Sequence, residues 1–226
     1  MRILRNLAFY LAFYIGSTLI ISTAVLARPF GSAVVRAVIQ QWSHWHRICA
    51  THLLGIKVAV EGEVPPGPAL FAVKHESYFE AIDAPMMHHH PVPFAKKELY
   101  SIPGWRISAA AYGSVPVSRD QGAKALREMV KAGRHYASEG RPLVIFPEGT
   151  RVGHGDRPPL QAGFAGLYKM LDIPVVPIAV NSGPLYHQRW KRKGIITYLI
   201  GETIPPGLPR AEVEARVTEA INALNS

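Results

Sequence analysis

The sequence predicts an α/β fold, a mixed, mostly parallel sheet flanked by helices and preceded by an N-terminal membrane-associated two-helix segment. Three observations carry this. After residue 57, short apolar runs bounded by turn residues alternate with stretches of helical spacing, the order that builds parallel sheets covered by helices. Before it, no residue from Asn6 to Ala27 is charged. Across all 226 residues the hydrophobic share is 48% against 18% charged, which leaves apolar surface beyond what one core consumes. Residues 1–56 are accordingly expected to be anchoring helices and residues 57–226 one α/β domain, a length that buries a sizeable core.

As a helix, the uncharged run covers about 30 Å, one hydrocarbon thickness. Its length and its tyrosines near one end favour a retained anchor over a signal peptide. Arg2, Arg5, Arg28, Arg36, Arg47 and Lys57 all precede the first acidic residue, Glu61, a bias suited to the anionic cytoplasmic leaflet. Arginines on both sides of the run leave its orientation unfixed by the charge rule, and a re-entrant or in-plane helix is an alternative to a full span. Beyond Pro29 and Gly31, Val34, Val38, Trp42, Trp45, Cys49 and Leu53 fall at helical spacing. That gives a second helix whose tryptophan-bearing face meets either the core or the membrane interface, with the interface preferred. Cys49 is the only cysteine, which excludes an intrachain disulfide and fits a reducing compartment.

Lys57 to Val60 reads as an outer strand, and Ala69 to Val73 as a buried one after the rigid turn Pro65-Pro66-Gly67-Pro68. The next helix runs through Met87 to His88-His89-His90, which lacks the spaced partners of a closed metal site and is expected to be a solvated loop. Val92 to Ala95, Val115 to Val117, Leu143 to Phe146, Val175 to Val180 and Ile195 to Ile200 are further strands. Helices are expected from Gln121 to about Ser138, capped by Asp120, from Gln161 to Leu171, and from Pro209 to Leu224. Lys124, Arg127, Lys131 and Arg134 form a solvated face of the first of these. The run His187 to Lys193 gathers basic and aromatic side chains, either as a charged loop or as a surface for lipid headgroups or an acidic carrier.

The chemistry-bearing stretch is Ala72 to Asp83, Ala-Val-Lys-His-Glu-Ser-Tyr-Phe-Glu-Ala-Ile-Asp. It places His75 where a strand ends and a helix begins, the edge at which open α/β sheets hold their working residues. Glu80 and Asp83, five and eight positions on, are both candidates to orient an imidazole that takes a proton from a hydroxyl. At about 100° per residue, a His75–Glu80 contact requires His75 to lie on the turn entering the helix. Ser77 to Glu80 fits a capping box, which allows that turn and equally gives Glu80 a purely capping use. A second stretch, Phe146-Pro147-Glu148-Gly149-Thr150-Arg151, ends a strand with a carboxylate, a glycine, a hydroxyl and an arginine, a set suited to a phosphate beside a hydroxyl group.

The two stretches together resemble the glycerolipid acyltransferases of the His-x4-Asp type, typified by lysophosphatidic acid acyltransferase. The second block is complete, Phe146 to Arg151, while Glu80 stands where that family usually has aspartate; the longer carboxylate still reaches an imidazole. Gly113 to Arg119 is similar to the family's segment ending in a phosphate-binding arginine, and Ile173 to Val180 to its proline-containing apolar strand. The resemblance spans Ala69 to Asn181 and implies the same architecture, residues 57–226 being the acyltransferase domain. It implies that His75 and Glu80 are catalytic and that Lys97, Arg119, Glu148, Gly149, Thr150 and Arg151 bind substrate, with Glu148 on a glycerol hydroxyl or an arginine.

The implied reaction moves a fatty acyl group from acyl-carrier protein or acyl-CoA, as co-substrate, to the free hydroxyl of 1-acylglycerol 3-phosphate. It needs no other cofactor and no metal. Partners are membrane lipids and the lysophospholipid acceptor, with the catalytic domain on the cytoplasmic face. The net charge of +9 and pI ≈ 9.8 favour phosphate-bearing partners, and nucleic acid is set aside because no recognition motif is present. Two rivals remain: the same fold acting on glycerol phosphate or a lyso-ornithine lipid, and a non-catalytic membrane-bound lipid- or carrier-binding protein.

Overall fold

A computed structural model describes residues 1–102, 104–118 and 121–225. Among them, seven strands form one sheet in the order β1-β7-β6-β2-β5-β3-β4: β1 Ile56–Glu61, β2 Leu70–Val73, β3 Val92–Lys96, β4 Val115–Val117, β5 Leu143–Ile145, β6 Val175–Val180 and β7 Gly194–Ile200. Every pairing is parallel except β6 with β7. The central strand β2 is buried along its whole length, as an apolar run covered on both faces should be.

Side chains alternate between the two layers. Phe71 and Val73 join a cluster with Val144, Ile178, Ile196 and Tyr198. Leu70 and Ala72 face the other way, onto Leu143, Phe94 and the apolar sides of α5 Gly122–Ser138, α6 Ala162–Leu171 and α7 Arg210–Ile221. The first layer is closed by α1 Arg2–Leu26, α2 Ser32–Cys49 and the start of α3 Phe79–Met87, while α4 Trp105–Tyr112 packs beside α1 and α2.

Expected strands and helices are found within a residue or two of their positions, except that α7 is shorter at its C-terminus, ending at Ile221. Two local expectations are corrected. The tryptophan face of α2 meets the protein: Trp42 donates to Ser17 Oγ at 2.9 Å and stacks on Phe13, and Trp45 donates to the Ala12 carbonyl at 3.3 Å. Gly16 makes room for it, since a Cβ there would lie 2.1 Å from the Trp45 ring nitrogen. In the histidine run, His88 is buried with its ring 4.1 Å from that of Phe71, so it is a core residue where a solvated loop was expected. Asp120, the expected cap of α5, lies outside the described residues.

The N-terminal helices share the domain's core: Phe9, Phe13, Cys49 and Leu54 lie in one cluster with Ile56, Phe71 and Ile196. The start of α1 is also stitched to the strand-joining loop 187–193. Asn6 donates to the Lys191 carbonyl at 3.0 Å and accepts from its amide at 2.8 Å, and Arg5 donates to the Leu53 carbonyl at 2.9 Å. The opposite face of α1 is an exposed apolar stripe of Leu4, Leu7, Leu11, Ile15 and Leu19. Among the described residues, α1 is the one helix long and apolar enough to cross a membrane.

Candidate active site

Register brings the two stretches together. In the parallel pair β2–β5, Leu70 lies opposite Leu143 and Ala72 opposite Ile145, so continuing both chains past the sheet sets His75 beside Glu148. The contact is made: the His75 amide donates to Glu148 Oε2 at 2.9 Å. On the other side, β2–β6 pairs Leu70 with Val175 and Val73 with Ile178, and the same continuation sets Ser77 beside Ser182. Their hydroxyl oxygens are 2.8 Å apart.

His75 sits outside α3, on the entering turn, its side chain 15% exposed and its ring stacked 4.1 Å from Phe146. Its Nδ1 is 3.0 Å from Glu80 Oε1. The same oxygen accepts the amides of Glu76 and Ser77 at 2.6 and 2.7 Å, while Phe79 donates its amide to Ser77 Oγ at 3.0 Å. Glu80 thus reaches back to the Ser77 amide and to the imidazole with one buried oxygen, but the full capping box is not made: α3 begins after Tyr78, and Ser77 Oγ accepts the Phe79 amide in place of that of Glu80. Burial pushes the Glu80 carboxyl up, but the His75 hydrogen bond and charge, the Ser182 hydroxyl and the Ser77 amide outweigh it and hold the group below the ordinary glutamate range.

Because an ionised carboxylate only accepts, Nδ1 of His75 carries the proton and Nε2 is left as the acceptor. A histidine held in this tautomer has a free ring nitrogen with which to accept a proton from a hydroxyl. Asp83, the other carboxylate weighed for this place, is turned away. Arg47 of α2 grips it with two nitrogens, Nε at 2.9 Å, and Tyr198 donates to it at 3.1 Å. It ties α2 and α3 to the sheet.

Glu148 is buried, and its two oxygens accept from the His75 amide at 2.9 Å and from Lys74 Nζ at 2.6 Å, so it fixes the backbone of the histidine turn. Lys74, to which the sequence assigned no part, is fully buried; it also donates to Asn222 Oδ1 at 2.7 Å and to the Asp156 carbonyl at 3.0 Å. A lysine ending a wholly apolar strand was the available signal, since such a charge demands a partner. Glu76 was likewise missed. Buried, it accepts from His154 Nδ1 at 2.8 Å and the Gly183 amide at 2.7 Å, and burial raises its pKa against both contacts.

Gly149 takes a positive φ of 73° and closes the turn with its amide on the Phe146 carbonyl at 2.9 Å. A Cβ there would meet Gln161 at 2.6 Å. Thr150 and Arg151 are exposed beyond the turn, and the Arg151 guanidinium lies 3.9 Å from the centre of the Tyr78 ring. Lys97 is exposed just past β3. With strands about 4.8 Å apart, β3 lies two places and roughly 10 Å from β2 on the same carboxyl edge. Arg119, the remaining expected binding residue, lies outside the described residues.

Comparison with known proteins places the chain in one family. A model of the acyltransferase family matches residues 55–181, more than half of the chain. The 1-acyl-sn-glycerol-3-phosphate acyltransferase of Pseudomonas aeruginosa is 29% identical over 231 residues, covering 98% of this chain and 86% of its own length. The enzyme of the same name from Helicobacter pylori is 27% identical over 144 residues, 62% of this chain and 60% of its own. The crystal structure of the 1-acyl-sn-glycerophosphate (LPA) acyltransferase PlsC from Thermotoga maritima superposes with a TM-score of 0.79 at 22% identity, covering 100% of this chain and 96% of its own. At that identity the likeness shows the fold.

Proposed function

The chain belongs to the acyltransferase family, and from that premise we propose that it transfers a fatty acyl group from an acyl thioester to the free hydroxyl of 1-acylglycerol 3-phosphate, giving phosphatidic acid. The relatives' activity supports the acceptor. The observation that carries the reading is the His75 Nδ1–Glu80 contact at the carboxyl edge of the sheet, beside the turn bearing Arg151. A carboxylate so fully hydrogen-bonded is a working partner for the imidazole, which argues against a decayed, non-catalytic site.

Nε2 of His75 takes the proton of the acceptor hydroxyl as its oxygen attacks the thioester carbonyl. The new C–O bond forms, the C–S bond breaks, and the proton passes from His75 to the departing thiolate. Glu80 keeps the ring oriented and stabilises its charged form. No acyl-enzyme and no cofactor beyond the thioester is required. Arg151, its guanidinium edges left for a ligand by stacking on Tyr78, binds the acceptor phosphate together with Arg119 and Lys97.

The exposed stripe of α1 rests on the membrane. Because the opposite face is packed on the domain, the helix lies along one leaflet. The basic N-terminal segment favours the anionic cytoplasmic leaflet, and the donor is acyl-carrier protein or acyl-CoA.

The test is purified full-length protein with a radiolabelled acyl thioester and a panel of lysolipid acceptors in detergent. Label is expected in phosphatidic acid. His75→Ala is expected to lose a factor of about 10² to 10⁴ while remaining folded. Preference for a phosphate-free acceptor would move the reading to that lipid, and full activity in His75→Ala would remove the mechanism.

A further inference from the structure

Glu80 has a second oxygen, and what holds it is a residue outside every stretch that identified the site. Ser182 follows β6, one position past the segment matched to the family. Its side chain is fully buried, and its Oγ donates to Glu80 Oε2 at 2.6 Å. Ser77 Oγ lies 2.8 Å from Ser182 Oγ and 3.1 Å from the same carboxylate oxygen. Each hydroxyl has one proton to give. The shorter contact assigns that of Ser182 to Glu80, and Ser77 then donates to Ser182.

A serine at this position has an obvious structural use, capping the turn of helix that starts at Gly183. The hydroxyl does not serve it: no side-chain cap is made there, and the turn is closed by the Ser182 carbonyl, which accepts the amides of Leu185 and Tyr186 at 3.2 and 2.8 Å. We propose that Ser182 is a positioning residue, whose hydroxyl pins Glu80 Oε2 so that Oε1 faces His75 Nδ1. This rests on the reading of His75 and Glu80 as the general-base pair. A glutamate has one more rotatable bond than aspartate, so its carboxylate needs a fixed point on each oxygen. Backbone amides hold one, and Ser182 holds the other.

Proton NMR of the full chain in detergent, without substrate, gives the first reading. A ring proton donated by histidine to a carboxylate resonates far downfield, and that of His75 is identified by its loss in His75→Ala. Ser182→Ala is expected to shift or broaden it; an unmoved resonance overturns the proposal. Since no substrate is present, this reading is separate from the functional one: a wild-type chain with the resonance but no transfer to any lysolipid would overturn the latter alone.

Kinetics give the second. Losing a hydrogen bond to a charged group is expected to lower kcat roughly tenfold, with the acceptor KM changed by less than about twofold. In a Glu80→Ala background no group is left for Ser182 to hold, and Ser182→Ala should then change kcat by less than about twofold. An equal loss in both backgrounds marks Ser182 as merely structural and overturns the proposal. Ser182→Cys keeps the volume with a weaker donor; it is expected to fall between serine and alanine and serves where the alanine variant does not fold.

Discussion

Arg151 and Lys74 show how differently a basic side chain is used at this sheet edge. Arg151 is exposed and stacked on Tyr78, and among the described residues no carboxylate pairs with it. Arg151→Lys is expected to raise the acceptor KM severalfold with little change in kcat, because an ammonium cannot reproduce the planar fork; steady-state kinetics against the lysophospholipid checks this, and an unchanged KM removes Arg151 from the phosphate. Lys74 is wholly enclosed with Glu148. Lys74→Met leaves a buried carboxylate without its partner and is expected to destabilise the fold by about 3–5 kcal/mol. Lys74→Met/Glu148→Gln should recover much of that, as denaturant unfolding of both variants would show.

The elements α2 and α3 are joined to the sheet through groups the sequence presents as ambiguous. The return of Glu80 to the Ser77 amide was legible, as was the need for His75 to stand outside the helix, because both follow from local geometry. Which carboxylate faced the imidazole was settled by Arg47 arriving from α2 to claim Asp83, a contact between residues far apart in the chain. The same packing buries two histidines. His46 of α2 is held neutral by burial and by the charges of Lys191 and Arg47, its pKa lowered to about 3, and burial alone lowers that of His88 to about 4. Their unfolded forms take a proton near pH 6.5, so below that value the unfolded chain holds more protons and stability falls as pH falls toward 4 and then 3. Between pH 6.5 and 5 the loss is expected to be about 2 kcal/mol for each histidine. Urea unfolding in detergent at the two pH values, for the wild type and for His88→Phe, isolates the His88 share from the opposing one of Glu76 and Asp83, whose raised pKa values add stability as pH falls, and an identical pH dependence in the two would mean that the His88 ring is solvated.

At the scale of the molecule, α1 is a helix with two apolar faces, one committed to the core and one exposed. Leu11→Asp and Leu19→Asp on the exposed stripe are expected to weaken co-sedimentation with anionic vesicles by about a thousandfold or more together, at about 2–3 kcal/mol per charge moved into the apolar layer, without changing the unfolding midpoint. Phe13→Asp on the buried face should unfold the protein; an equal effect on binding and stability at both faces would show that the stripe packs on protein. Composition and spacing determined the α/β class, the positions of the strands, the apolar N-terminal helix and the two stretches that carry the chemistry, because periodicity and turn residues are local properties of a chain. Tertiary structure alone decided that β2 lies between β5 and β6, and with that the placing of Glu148, Lys74 and Ser182 around His75 and Glu80. It also decided that the tryptophans of α2 face inward. Strand order and helix docking depend on how whole apolar surfaces fit one another, and no short stretch of sequence contains both partners.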